Sequence, residues 1–228
     1  MKIGILLSGC GVYDGSEIQE TILTMLAIEE QGGEYICIGI DSNQNQVINH
    51  ITGEEMSEKR NMLIESARIS RGQIVDIKNI HPSDLDALVI PGGFGNAKSF
   101  TKWAFEGAKG SILPEVKLFL VNMANVGKPI LGLCVSPIVL GKAFEGSQTS
   151  CSMTLGSTLE DSPYDIQSFS DELLKTKAKV VMKTIKEIEI DLENRIITAP
   201  CYMMNATILE VKANIDLAMK ALFEMLKF

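Results

Sequence analysis

The sequence predicts a doubly wound α/β domain with a mostly parallel sheet sandwiched by helices. Three observations carry that expectation. Short apolar runs recur along the chain and break at glycine or polar residues, as in KIGILL (2–7), EYICIGI (34–40) and KPILGLC (128–134). Stretches of helical periodicity lie between such runs, and a strand–helix–strand alternation implies parallel pairing through a right-handed crossover. The length, 228 residues, suits one α/β domain or two small ones and is enough for a sizeable core.

Taken in order, KIGILL is a buried strand. Residues 16–31 form a helix whose Ile18, Ile22, Leu23, Leu26 and Ala27 share one face, stopped by Gly32-Gly33. EYICIGI is the second strand, 41–52 is a polar loop, and MSEKRNMLIESARI (56–69) reads as a helix. DALVIPGGFG (86–95) is a strand running into a glycine turn. Residues 113–125 are helical with Pro114 in the first turn, KPILGLC is a strand, and SPIVLGKAF (136–144) starts a helix. The stretch 146–170 is polar with weak periodicity, and 171–176 has helical character. VVMKTI (180–185) and a hairpin over 186–199, turning at Glu193-Asn194, read as edge strands, and 203–228 is a closing amphipathic helix. Repeats, low-complexity tracts and linkers are not evident, so the expectation is one domain over 1–228 with insertions near 41–55 and 146–170.

Composition narrows the function. The formal net charge is −8, which disfavours a phosphate backbone as partner, and no basic amphipathic stretch points to a membrane surface. The start MKIGILLSGCG does not read as a signal peptide, and the cytoplasm is the expected compartment, or an organelle if a transit segment has been trimmed. Five scattered cysteines (Cys10, Cys37, Cys134, Cys151, Cys201), with no C-x-x-C and only His50 and His81 as histidines, argue against a disulfide framework and against a metal site. No cofactor is expected.

Three segments that follow strands carry chemistry-bearing residues: SGCGVYDGSEIQE (8–20), PGGFGNAKS (91–99) and LCVSP (133–137). In doubly wound sheets, loops at the carboxyl ends of the strands meet where the strand order reverses. Cys134 has two readings. Pro137, and Ser136 as a cap, would set a helix N-terminus against its sulfur and favour thiolate, as in a strand–nucleophile–helix elbow; alternatively it is a small buried hydrophobe. PGGFG is either a tight turn or a set of backbone N–H groups aimed at an oxyanion. Gly9, Gly11 and Gly15, with Asp41 closing the second strand, approach a dinucleotide-binding layout, but the spacing is wrong and Asp14 and Glu17 would face a pyrophosphate. Glu17 and Glu20 are either ordinary first-turn helix charges or, beside a thiol, an acid/base with a raised pKa. Cys37 is expected in the core; Cys10, Cys151 and Cys201 carry no visible activating group.

With those loops in view, the chain resembles the ThiJ/PfpI superfamily, with the class I glutamine-amidotransferase-like fold, and within it the ElbB family, also called the ES-one family. The resemblance rests on SGCGVYDGSEIQE, VINHITGE, RNMLIESARISRG, PGGFGNAKSF, GKPILGLCVSP and ITAPCYM, six blocks in order along nearly the whole chain. It implies a flavodoxin-like α/β sandwich, an elbow nucleophile at Cys134, a helix-borne glutamate beside it (Glu20 by register, with Glu17 the competitor) and an oxyanion site at Gly93 and the Val135 amide. It also implies a homodimer. Two departures matter. Peptidase-like members carry histidine directly after the nucleophile, where this chain has Val135, and the amidotransferase His–Glu pair has no counterpart in TAPCYMM. Peptidase and glutaminase activities are therefore not expected. What remains is what a thiol and one carboxylic acid can do: a cofactor-free, glyoxalase III-type conversion of a small 2-oxoaldehyde to a hydroxy acid. The alternatives are a redox-sensing protein with an oxidisable Cys134 and, less favoured, a nucleotide or metabolite binder using the glycine loop.

Overall fold

Strands that alternate with helices are buried on both faces, so they are apolar throughout rather than alternating. β1 (Lys2–Leu6) follows this rule, with Ile3, Ile5 and Leu6 fully buried. In the computed structural model, which describes residues 1–147 and 150–227, α1 (Ile18–Glu30), β2 (Glu34–Gly39), α2 (Met62–Ile69) and β3 (Ile74–Asp76) come next. β4 (Ala87–Ile90), the short α3 (Trp103–Glu106), α4 (Pro114–Asn125), β5 (Ile130–Leu133) and α5 (Pro137–Phe144) complete the middle of the chain. β6 (Ser152–Met153), α6 (Ile166–Leu174), β7 (Lys179–Val180), β8 (Glu189–Asp191), β9 (Ile196–Ala199) and α7 (Ile208–Met225) end it.

Seven strands form one sheet in the order β3-β2-β1-β4-β5-β9-β8, parallel except for the β8–β9 hairpin. α1 packs on α7, and α4 packs on α5. This is the doubly wound arrangement expected. The order runs outward from β1 to β3 on one side and from β4 towards β9 on the other, so the reversal lies between β1 and β4. Crevices at such reversals, at the carboxyl ends of the strands, are where this architecture binds ligands.

Several elements differ from expectation, each for a local reason. The α1 face is rotated: Ile18, Ile22 and Leu26 are exposed, whereas Glu20, Thr21, Thr24, Met25, Ala27 and Ile28 are buried. The apolar stripe alone pointed to the wrong side, because the buried side includes a carboxyl. α2 begins only at Met62, since Asn61 accepts from the amides of Leu63 and Ile64 and so sets the start. α6 begins at Ile166, five residues ahead of the expected helix, because Asp165 caps it. The strand expected over 180–185 is reduced to β7, which pairs with β6 rather than joining the main sheet. β3 is a short edge strand without alternation and was not expected. The closing helix starts at Ile208, after a capping box between Thr207 and Glu210, and its expected last residue, position 228, lies outside the described residues. Positions 148 and 149 of the expected 146–170 insertion do so too.

Candidate functional site

Glu20 reaches the site from the first turn of α1. Glu17 is the N-cap of that helix, and its Oε2 accepts from the Glu20 amide at 2.6 Å. Glu17 is thus occupied as the cap, whereas Glu20 is fully buried and points to the strand ends. Its Oε2 accepts from the Gly92 amide at 2.8 Å and its Oε1 from the Tyr202 amide at 3.2 Å.

Cys134 follows β5 directly and stands at φ +56°, a left-handed conformation that a non-glycine residue holds only where its surroundings force it. Its amide donates to the Ala199 carbonyl at 2.9 Å, which ties the elbow to the end of β9. Pro137 occupies the first turn of α5 as expected. Ser136 does not cap that helix: its Oγ is buried without a hydrogen-bond partner among the described residues. The side chain of Cys134 is against Gly92. A Cβ placed on Gly92 would lie 2.4 Å from Cys134 Cβ, 2.8 Å from its Sγ and 2.5 Å from Glu20 Oε2. The absence of a side chain at residue 92 is therefore what allows thiol and carboxyl to approach each other, and each acts on the other's protonation.

The glycine loops hold this arrangement by close backbone approach. Glu17 N–H donates to the Gly92 carbonyl, Phe94 N–H to Val12 and Gly95 N–H to Gly15. Within the 8–16 loop, the amides of Gly9, Gly11, Gly15 and Ser16 all have protein partners, and buried Asp14 accepts from Ile48 N–H at 2.6 Å. A phosphate-binding loop needs free amides, and none of this loop's three glycines offers one here. The Gly93 amide, at φ +102°, has no hydrogen-bond partner among the described residues, and the Val135 amide lies against the Cys134 sulfur.

Electrostatics follow from burial. Glu20 is pushed up to about 8, first by desolvation and then by the charge of Glu17; the amides of Tyr202 and Gly92 and the Cys134 thiol oppose this without offsetting it. Burial also raises Glu17, less strongly. The Cys134 thiol is raised well above its usual range by burial, then by Glu20 and then by Cys201. This corrects the expectation of a thiolate made by the helix terminus: the pull of the α5 N-terminus and the Val135 amide is smaller than the cost of burying a second charge beside Glu20. Burial thus pushes both groups towards their protonated forms, and the two act on each other as a coupled pair.

Three further residues enclose the pair, and none was among the candidate site residues read from the sequence. Tyr164, from the 146–170 insertion, packs edge-on against Phe94 with centroids 5.5 Å apart and is raised to about 12 by burial, then by Cys134 and Glu20. Tyr202 donates its amide to Glu20 and its hydroxyl to Gln19. Cys201, fully buried, sits just beyond β9. The only legible signal for Cys201 was its place after a strand. Cys37 and Cys151 are buried with thiols pushed up to about 12, as inert core cysteines should be, and half-buried Cys10 is raised by burial and by Glu65. Among the described residues no cluster of three or more metal-ligating side chains is present, and no helix is long and apolar enough to cross a membrane.

No protein-family model matches the chain. It is 32% identical over 226 residues to the human "Glutamine amidotransferase-like class 1 domain-containing protein 3, mitochondrial", an alignment covering 98% of this chain and 83% of that protein. The rat "ES1 protein homolog, mitochondrial" is 31% identical over 226 residues, covering 98% and 84%. Among solved structures, an isoprenoid biosynthesis protein with amidotransferase-like domain from Ehrlichia chaffeensis superposes with a TM-score of 0.89 at 32% identity, covering 99% of each chain. A ThiJ/PfpI domain protein from Brachyspira murdochii, at 11% identity and a TM-score of 0.58, shares the fold. These relatives correct the expected compartment. The cytoplasmic reading is overturned by curated relatives that are mitochondrial proteins.

Proposed function

Because the chain belongs to the ElbB or ES1 family of glutamine amidotransferase-like proteins in the ThiJ/PfpI superfamily, we propose that it is a cofactor-free enzyme that converts a small 2-oxoaldehyde to a 2-hydroxy acid. One observation carries the reading: a fully buried carboxyl, raised to about 8, beside an elbow cysteine, with no histidine in contact with either among the described residues. Glu20 is then both base and acid near neutral pH, where catalytic proton transfer is most effective.

In the first step the Cys134 sulfur adds to the aldehyde carbon while Glu20, as carboxylate, takes the thiol proton. The developing oxyanion is held by the amides of Gly93 and Val135 and then protonated, giving a hemithioacetal. Glu20 next removes the proton on that carbon and returns a proton to the neighbouring carbon as its ketone becomes an alcohol. The product is a thioester of a 2-hydroxy acid. Water cleaves it, releasing the acid and restoring the thiol. The whole reaction consumes one water and no external oxidant or reductant. Cys134 is only 5% exposed, which favours substrates of a few heavy atoms.

The test is turnover of methylglyoxal and glyoxal by the native chain and by Cys134→Ser. We expect hydroxy-acid formation by the native protein and a loss of at least about 100-fold in the variant, with an unchanged circular dichroism spectrum. Equal turnover in the two proteins would refute the reading.

A further inference from the structure

The aldehyde chemistry leaves one buried nucleophile unused. Cys134 directly follows β5 and Cys201 lies two residues beyond β9, after Pro200, and the two strands are parallel neighbours with Leu133 in register with Ala199. The Cys134 amide donates to the Ala199 carbonyl at 2.9 Å, so the chain leaves both strands side by side. Both cysteines stand in the left-handed region, at φ +56° and +46°. That conformation is uncommon for any non-glycine residue, and it persists only where tertiary contacts impose it. Asn214 imposes it at Cys201, its Oδ1 accepting from the Cys201 amide at 3.0 Å, with the sulfur 3.6 Å from the same oxygen.

Glu20 brackets the two thiols. One oxygen accepts from Gly92, whose missing side chain admits Cys134, and the other accepts from Tyr202, the residue after Cys201. The Cys134 amide faces the Cys201 sulfur, and Cys201 lies within electrostatic reach of the Cys134 thiol. Pro200 continues the register opposite Cys134, and an offset of one residue (a rise of about 3.3 Å) across a strand spacing of about 4.8 Å is still compatible with the Cα separation of about 4.4–6.8 Å that a disulfide accepts.

We infer that Cys134 and Cys201 are a redox pair, in which Cys134 is oxidised by a small hydroperoxide and Cys201 resolves it to an intramolecular disulfide that switches the nucleophile off reversibly. With hydrogen peroxide the steps balance. The Cys134 sulfur attacks one peroxide oxygen, an S–O bond forms and the O–O bond breaks. The leaving hydroxide receives the thiol proton through Glu20 and departs as water, leaving a sulfenic acid. The Cys201 sulfur then attacks the Cys134 sulfur, an S–S bond forms, the S–O bond breaks, and the hydroxide leaves as water with the Cys201 proton. Two thiols lose two electrons, and one peroxide becomes two waters. The inference stands apart from the aldehyde reading, because it needs no carbonyl substrate. Without a resolving partner, an accessible sulfenic acid continues to sulfinic acid, which is not recovered by thiols.

The test treats reduced full-length protein with a few equivalents of hydrogen peroxide, blocks free thiols under denaturing conditions and maps peptides without reduction. The expected result is a Cys134–Cys201 cross-linked peptide, with both residues returned to alkylatable thiols by dithiothreitol. In Cys201→Ser, Cys134 should instead reach sulfinic acid and resist dithiothreitol. A native protein whose Cys134 goes to sulfinic acid while Cys201 stays a free thiol would overturn the inference, as would a Cys134 that peroxide leaves unchanged. The native measurement stands even if the variant folds poorly.

Discussion

At the scale of single residues, the site is a contest between burial and hydrogen bonding, and burial wins. Two backbone amides point at the Glu20 carboxyl and still leave it near 8. Glu17 supplies part of that shift by its charge, although it is itself occupied as a helix cap. Glu17→Gln should therefore keep turnover while moving the acid limb of the kcat/KM pH profile to lower pH, by about half a unit to one unit. A limb that stays in place would show that Glu17 does not act on Glu20. Cys134 and the two glutamates were legible in the sequence because their residue types, their order and their place after strands are chemical signals. The choice between Glu17 and Glu20 was not: residues three apart on a helix share a side, and only the packed structure shows which of them meets a sulfur.

At the scale of elements, glycine decides. Gly92 and Gly93 end β4 where a side chain has no room: a Cβ on Gly93 would lie 2.3 Å from the Gly15 carbonyl oxygen and 2.5 Å from the Glu17 nitrogen. Gly53, in the 41–61 loop, is left-handed too, but a Cβ there meets nothing within 4 Å. Gly92→Ala should abolish turnover by forcing Cys134 and Glu20 apart, at a stability cost of about 1–3 kcal/mol. Gly53→Ala should cost about 1–2 kcal/mol from backbone strain alone and leave turnover intact. Thermal melts and rates on the two variants check both statements, and loss of turnover in Gly53→Ala would count against a purely local role for Gly92. The main strands and α4, α5 and α7 were legible because apolar runs and caps are local. The α1 face was not, since a buried Glu20 at a functional site breaks the rule that the apolar stripe faces inward. Tyr164 was not legible either, because it belongs to a polar insertion whose path is set by contacts with Phe94 and Phe169 rather than by periodicity.

At the scale of the whole molecule, the site exists only because the ends of four strands meet: Glu20 comes from the helix after β1, Gly92 follows β4, Cys134 follows β5, and Tyr202 lies beyond β9. Holding an acid in that junction carries a cost that depends on pH. Glu20 rises from an ordinary 4.5 to about 8 on folding, so between those values the folded chain holds a proton that the unfolded chain has released. Its contribution to stability therefore falls as pH rises through that window, by on the order of a few kcal/mol. Melting temperatures of the native protein and Glu20→Gln should show the native value declining relative to the variant from pH 5 to pH 8; parallel curves would mean that Glu20 is ionised throughout. The most direct test of the coupled pair is the rate of Cys134 alkylation by iodoacetamide against pH, read by peptide mass spectrometry, in the native protein and in Glu20→Gln. The account predicts a native rate that is low at pH 6 and climbs with an inflection near 8, where Glu20 becomes the base, and a variant that lacks this inflection. Superimposable profiles for the two proteins would contradict it.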